Sequence, residues 1–476
     1  MDQTAVEARR SVGNEPPAFD VGRLESPALS SALLDALLRY PVGQRILDVL
    51  RWIKPVWRIP FLEWTLVLRY EHVREVLSSS GEFQVPWGAK MKRVTSDDGA
   101  EPPNGRNFVL GMTEPDAHYR QDYALLAQAF AFGDVATTVS RLALEASETC
   151  LRDWQPTQQT PFFDVVERLV LSVPAMMCDT YYGIPIADPV HFGKCSLAVS
   201  SYLFGPPFED DGKASTARKR EMALAAAAPL RHTIRTAMRE AEQSLMANGD
   251  NPADSSPLHR LMRAKRDSCG AIDDDRIHVQ LFGMVLGFIP TNVLAAGNLL
   301  ETLLDKPEFM LRTVQAARAG DDERLWRCLR ETLRFRNINP GPWRLCAHDT
   351  LLANAHGRAT RIRKGEQVLA CTQAAMFDGR RITHPHLFDS NRPDEDYLVF
   401  GLGQHWCLGA YIAIAQITQM FKVLFTHFDV SPAPGAAGRM KRVSVFPLHQ
   451  MVSLKPVAAP YGLASGAQPH SAQHGG

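Results

Sequence analysis

Apolar residues recur every three to four positions along most of this chain, a spacing that predicts helices. The pattern runs through Tyr70–Ser80, Pro115–Phe130, Val135–Trp154, Phe162–Tyr182, Arg218–Ala247 and Pro307–Ala317. Pro115 stands near the start of its segment with acids in the first turn, which are ordinary helix-entry signals. Ser31–Trp57 is apolar but broken by Asp35, Arg39, Arg45, Asp48, Arg51 and Lys54, so it reads as amphipathic helices. Strand-like runs are few: Trp64–Leu68, Gln367–Cys371 and Val443–Leu454. Ile277–Leu300 holds no Asp, Glu, Lys or Arg and is long enough to cross a membrane. Pro290, Asn292 and Asn298 interrupt it, so a central buried helix is the expectation. Gly88–Asn107 and Gly205–Lys213 are rich in glycine, proline and charge and are expected to be loops of the kind that cover a site. Residues 1–17 and 458–476 are expected to be flexible tails. No linker divides residues 18–457, which predicts one large domain, mainly α with a small β portion.

Composition narrows the function classes. The 476 residues are 45% hydrophobic and 22% charged, ordinary for a soluble globular protein. Fifty-two basic residues balance 52 acidic ones, so net charge points to no nucleic acid and no anionic membrane. The eight cysteines are scattered without a CxxC pair, which argues against a disulfide scaffold or a structural zinc site. The N-terminus shows no apolar signal region and no transmembrane anchor. A cytoplasmic location is expected.

The candidate chemistry lies near the C-terminus. Phe400-Gly401-Leu402-Gly403-Gln404-His405-Trp406-Cys407-Leu408-Gly409 fits F-x-x-G-x-x-x-C-x-G, and a helical pattern follows at once. A cysteine just before a helix receives unpaired backbone N–H groups and the positive end of the dipole, which stabilise a thiolate. This stretch resembles the cysteine-ligand loop of the cytochrome P450 superfamily. The likeness extends over nearly the whole chain after residue 20.

That resemblance implies the cytochrome P450 fold, haem b (heme b, iron protoporphyrin IX) as cofactor, and Cys407 as the iron ligand. Gly403 and Gly409 would let the backbone pass close to a flat macrocycle. Phe400 would pack beneath the loop, and His405 would donate to a haem propionate. Upstream, Glu331-Thr332-Leu333-Arg334 gives E-x-x-R, and Phe388–Pro393 resembles the family's arginine-containing meander. The implied structure is a buried Glu331–Arg334–Arg392 network that fixes the proximal side, structural rather than catalytic. Arg344 matches a propionate-pairing arginine. Relatives often show H-x-x-x-R near residue 118. His118 matches, but Asp122 holds the arginine position and Arg120 lies on another face, so either His118 or Arg120 reaches the haem.

The chain departs from the family in its apolar helix. Most monooxygenases of the family show A/G-G-x-D/E-T there, the acid and alcohol organising water and supplying protons. Here the stretch is Gly287-Phe288-Ile289-Pro290-Thr291-Asn292, with Thr291 at the alcohol and Pro290 at the acid. Proline leaves the Leu286 carbonyl without its helical partner and predicts a kink or groove. Proton delivery would then fall to Thr291, Asn292, ordered water or substrate. An Ile-Pro pair resembles sterol 7α-hydroxylases and prostacyclin synthases, whose chemistries differ, whereas fatty-acid peroxygenases carry Arg-Pro.

The expected function is a monooxygenase acting on a small hydrophobic substrate, with electrons from ferredoxin and ferredoxin reductase or a similar donor. Two alternatives stand beside it. One is a peroxide-dependent peroxygenase, isomerase or dehydratase. The other is a non-catalytic haem-binding or gas-sensing protein, for which the chain shows no output module.

Overall fold

A computed structural model describes residues 40–59, 63–97, 107–112, 118–152, 154–206, 208, 211–251, 255–352 and 359–457. The expectations for the two tails, for residues 18–39 and for the entry at Pro115 lie outside these residues. In chain order the elements are α1 (Val42–Ile53), β1 (Val56–Ile59), β2 (Trp64–Val67), α2 (Tyr70–Ser78), β3 (Phe83–Gln84), α3 (Gly88–Thr95), α4 (Tyr119–Ala129), α5 (Ser140–Arg152) and β4 (Phe163–Asp164). There follow α6 (Ser172–Thr180), α7 (Pro189–Leu203), α8 (Ala214–Asn248), α9 (Pro257–Asp267), α10 (Asp274–Asp305), α11 (Pro307–Arg318) and α12 (Asp322–Phe335). The last part holds β5 (Trp343–Cys346), β6 (Thr350–Leu352), β7 (Thr360–Ile362), β8 (Gln367–Ala370), α13 (Thr372–Ala375), α14 (Ala410–His427), β9 (Phe428–Pro432), β10 (Lys441–Val443), β11 (Phe446–His449) and β12 (Met451–Pro456). The fold is mainly α with small sheets, as the periodicity predicts.

Helix α10 is the axis of the molecule. The Asp273 side chain accepts the Arg276 amide at its start, and Pro307 opens the next helix. Leu281, Phe282, Val285, Leu286, Val293, Leu299 and Leu300 are all fully buried. Each such side chain contributes roughly 1.5–3 kcal/mol on leaving water. The helix is long and apolar enough to cross a membrane, but 89% of its apolar window is buried inside the protein, as expected of a core helix.

The main sheet has strand order β1-β2-β8-β5-β3, with β2 and β8 parallel and the other pairs antiparallel. It sets Arg344 opposite Val368. The β10–β11 hairpin lies over the C-terminal half of α10. A Cβ at Gly297 would stand 2.4 Å from Pro447 Cγ. Arg442 Nη2 donates to Glu301 Oε2 at 2.6 Å and to Asn298 Oδ1 at 2.9 Å.

Several segments differ from their sequence pattern. Gly88–Thr95 is a helix, not a loop, because Met91 and Val94 bury completely at helical spacing. Residues 56–59 leave the helical run for β1, since Pro55 stops α1 and β2 offers a partner. Phe162–Tyr182 opens with β4, where the Asp164 carboxylate accepts the Val166 and Glu167 amides and starts a π-helical turn at Val166–Leu171. Val135–Val139 is likewise π-helical before α5 begins. Val443–Leu454 is split among three strands in two sheets.

Candidate functional site

Cys407 sits between a tight turn at Gly403–His405 and the start of α14. Its amide donates to Phe400 O at 3.1 Å, and the Ala410 amide returns to Cys407 O at 3.2 Å, so the loop is fixed on both sides. Burial pushes the Cys407 thiol up to about 11, against the pull of the Gly409 amide. A coordinated cation reverses that balance, because a metal-bound thiol is deprotonated outright.

Gly403 has φ +76°, and a Cβ there would lie 2.5 Å from Leu77 O. The C-terminal end of α2 thus requires glycine at this position. A Cβ at Gly409 would meet no protein atom within 4 Å. Phe400 packs against Trp326 of α12, rings 6.2 Å apart.

Two nitrogen-bearing side chains of the site, His405 and Arg344, keep donors to spare. Neither ring nitrogen of His405 has a hydrogen-bond partner among the described residues. Burial, and then the Arg344 charge, push this imidazole down to about 3, so it is neutral. Arg344 is 4% exposed on β5, and burial lowers it to about 10. Its Nη1 donates to the carbonyl of its own neighbour, Trp343 O, at 2.8 Å. A buried guanidinium without a carboxylate calls for an anion. Tyr119 of α4 completes the arrangement: its hydroxyl donates to Gln404 O at 2.7 Å and its ring meets His405 edge-on at 5.4 Å.

His118 stands just before α4 and is partly buried. Arg120 is exposed and does not join the buried cradle, because the inward positions of α4 are Tyr119 and Asp122. Asp122, fully buried, accepts from Arg276 Nε at 2.5 Å and Gln280 Nε2 at 3.1 Å, tying α4 to α10. Sequence reasoning noted the odd residue at 122 but not its partners, which lie more than 150 positions away.

The network behind the loop is complete. Glu331 and Arg334 are fully buried and pair bidentately at 2.8 and 3.0 Å. Arg392 Nε reaches Glu331 Oε1 at 3.3 Å. Arg334 and Arg392 also donate to the carbonyls of Pro385 and Thr383. Tyr397, which no motif marked, donates to Glu331 Oε2 at 2.8 Å.

Within the buried middle of α10, Gly287 and Thr291 alone are partly open. They are one turn apart and share a face. Thr291 Oγ1 donates to Gly287 O at 2.5 Å. Asn292 lies a third of a turn away, is 2% exposed, and donates to Phe288 O at 2.8 Å. Its Oδ1 is buried and has no hydrogen-bond partner among the described residues. Phe108 closes the same helix further back, since a Cβ at Gly283 would fall 2.0 Å from its ring.

A family model for cytochrome P450 matches residues 323–455, which hold the Glu331 network and the Cys407 loop. The chain belongs to the cytochrome P450 superfamily. It is 22% identical over 367 residues to cytochrome P450(BM-1) of Priestia megaterium, covering 76% of this chain and 82% of that protein. It is 31% identical over 103 residues to a bifunctional dioxygenase–epoxy alcohol synthase of Pyricularia oryzae, covering 22% of this chain and 9% of that protein. Among solved structures, the Tepidiphilus thermophilus P450 heme domain is similar with a TM-score of 0.69 at 17% identity, covering 86% of this chain and 93% of that one. This last likeness shows the P450 fold alone.

The P450 cofactor is haem, and the residues fit it. Cys407 would supply the axial thiolate, while Arg344 and His405 offer buried donors to propionate groups.

Proposed function

We propose that the protein is a haem-thiolate monooxygenase acting on a small hydrophobic substrate. The overall balance is substrate C–H plus O2, two electrons and two protons, giving C–OH and water. A separate donor of the ferredoxin and ferredoxin reductase kind supplies the electrons. When bound, haem b supplies oxygen activation at an iron whose thiolate ligand favours O–O cleavage. The observation that carries this reading is the opening at Gly287 and Thr291 on a helix that packs against α14, the helix following Cys407.

Each residue then has a task. The Thr291 hydroxyl gives its proton to Gly287 O, so its lone pairs accept a hydrogen bond from water at the opening. No carboxyl stands at residue 290 to pass protons inward. Asn292 donates to Phe288 O and keeps its Oδ1 free to accept, beside the Thr291 turn. Phe108 beside Gly283 and Leu110 beside Gly287 keep the region apolar. Eight free thiols support a reducing, cytoplasmic location.

A second reading, a peroxide-dependent enzyme, draws support from two observations. Pro290 replaces the acid, and the 31%-identical segment belongs to a protein named for epoxy alcohol synthase activity. Turnover with ¹⁸O2 and an electron donor, against turnover with peroxide alone, separates the two.

A further inference from the structure

A cavity of about 380 Å³ lies far from Cys407 along the axis helix, between α8, the N-terminal end of α10 and Asp97. His278 of α10 stands 13 residues before Thr291, about 20 Å at the helical rise. Phe108 packs on α10 between the two.

The cavity wall carries an arginine ladder. Arg231, Arg235 and Arg239 follow one another at intervals of four on one face of α8. Arg231 is 6% exposed. It spends Nη1 on Val94 O at 2.8 Å, while its Nε has no hydrogen-bond partner among the described residues. The carboxylate nearest to it is Asp97, at 3.4 Å. That carboxylate already gives both oxygens to Arg235 Nη1, at 2.6 and 2.7 Å. Asp97 is itself largely in solvent, with a side chain 70% exposed. One exposed carboxylate thus serves two guanidiniums, and among the described residues Arg239 bonds to Thr236 Oγ1 and the Arg235 carbonyl.

A second observation points the same way. His278 is 2% exposed, lines the cavity, and has no partner for Nε2. Burial, with Arg235 and Arg231 nearby, holds its pKa down to about 3, so the ring is neutral, and in the Nε2–H tautomer it has a donor to give. The acids at the other end are already paired: Lys265 bonds Glu242 at 2.7 Å and Asp274 at 2.6 Å. Asp275 is exposed in the first turn of α10.

We propose that this cavity is an oxyanion-binding site, in which Arg231, Arg235 and His278 take a carboxylate or phosphate group where the Asp97 carboxylate now lies. Guanidinium forks match both groups. Asp97 acts as an internal competitor that a ligand of higher charge or better fit displaces. A free phosphate uses the site alone, whereas an alkyl carboxylate adds its chain to the binding.

The test is calorimetric titration of the full chain, at low ionic strength, with inorganic phosphate and separately with dodecanoate. Arg235→Gln changes an accessible side chain, whereas Asp97→Asn takes the charge from the carboxylate beside buried Arg231, so the urea midpoint of each variant is measured first and binding is compared only between folded proteins. Phosphate is expected to bind the native protein, about threefold more tightly after Asp97→Asn and about tenfold more weakly after Arg235→Gln. Dodecanoate binding more tightly than phosphate, with the same dependence on both residues, assigns the site to an alkyl carboxylate. The reverse order assigns it to free phosphate. Absence of binding in both the native protein and Asp97→Asn, or binding indifferent to Arg235→Gln, overturns the proposal.

Discussion

Cys407 and its surroundings were legible because the information is local. Ten consecutive positions fix the turn, the thiol and the helix start, and the structure brings them together through the Phe400 and Ala410 hydrogen bonds. The reduced carbon-monoxide complex should show the red-shifted Soret band of a thiolate haem. Cys407→Ala should abolish it, and Cys371→Ala, a buried thiol elsewhere in the core, should not. A normal band from the Cys407 variant would remove the ligand assignment. Glu331 gives a second prediction at this scale. Its carboxylate holds Arg334, Arg392, Tyr397 and the Asp389 amide, so Glu331→Ala strands two buried guanidiniums. A loss of about 3–5 kcal/mol is expected, read as a lower denaturation midpoint and a fall in haem per chain. Unchanged haem content and midpoint would contradict the network. Tyr397 and the Asp122–Arg276–Gln280 tie escaped the sequence reading for one reason. Their partners are distant in the chain, and a lone tyrosine or aspartate carries no spacing signal.

Elements were read well where one face is apolar and poorly where a partner decides. The helices at Tyr70, Arg218 and Pro307 follow their periodicity because burial on one face suffices. Strand β1 exists because β2 is there to pair with it, and Gly88–Thr95 is helical despite its loop-like composition because it packs on α7 and α8. Lys90 makes that last contact. It is 3% exposed and donates to Tyr202 O at 2.7 Å and Gly205 O at 2.9 Å, at the end of α7. Burial, with Lys219 and Arg93 nearby, lowers it to about 8 from 10.5. The folded chain therefore sheds this proton at a lower pH than the unfolded chain. Stability should rise from pH 8 to about 10.5, by about 1.4 kcal/mol per unit at most, as the cost of a buried charge is relieved. Lys90→Met should lack this rise. Urea midpoints at pH 7.5 and 10, native against variant, measure it, and equal pH trends in the two would rule out a buried lysine.

At the scale of the molecule, the fold leaves the middle of the axis helix partly open at Gly287 and Thr291, and the chemistry turns on what delivers protons there. Thr291 and Gly287 share that opening, Asn292 is turned into the core, and Pro290 supplies no acid. Water bound by the Thr291 hydroxyl is thus the proton source that this turn of α10 offers among the described residues. If O2 is the oxidant, an NADPH-driven ferredoxin system should support turnover, and one ¹⁸O atom from ¹⁸O2 should enter each product molecule. Thr291→Ala should then lower product formed per NADPH by about tenfold or more, because nothing else at the opening replaces the hydroxyl. Thr291→Ser should restore much of that coupling, which a merely structural threonine would not require. A peroxide enzyme differs at each point: it needs no reductant, it takes its oxygen from the peroxide, and it already carries the protons that Thr291 would otherwise help deliver. Its turnover should change little in Thr291→Ala. Full activity with hydrogen peroxide or an organic peroxide, none with electrons and O2, and indifference to Thr291 would together reverse the assignment and make Pro290 the residue that defines the chemistry.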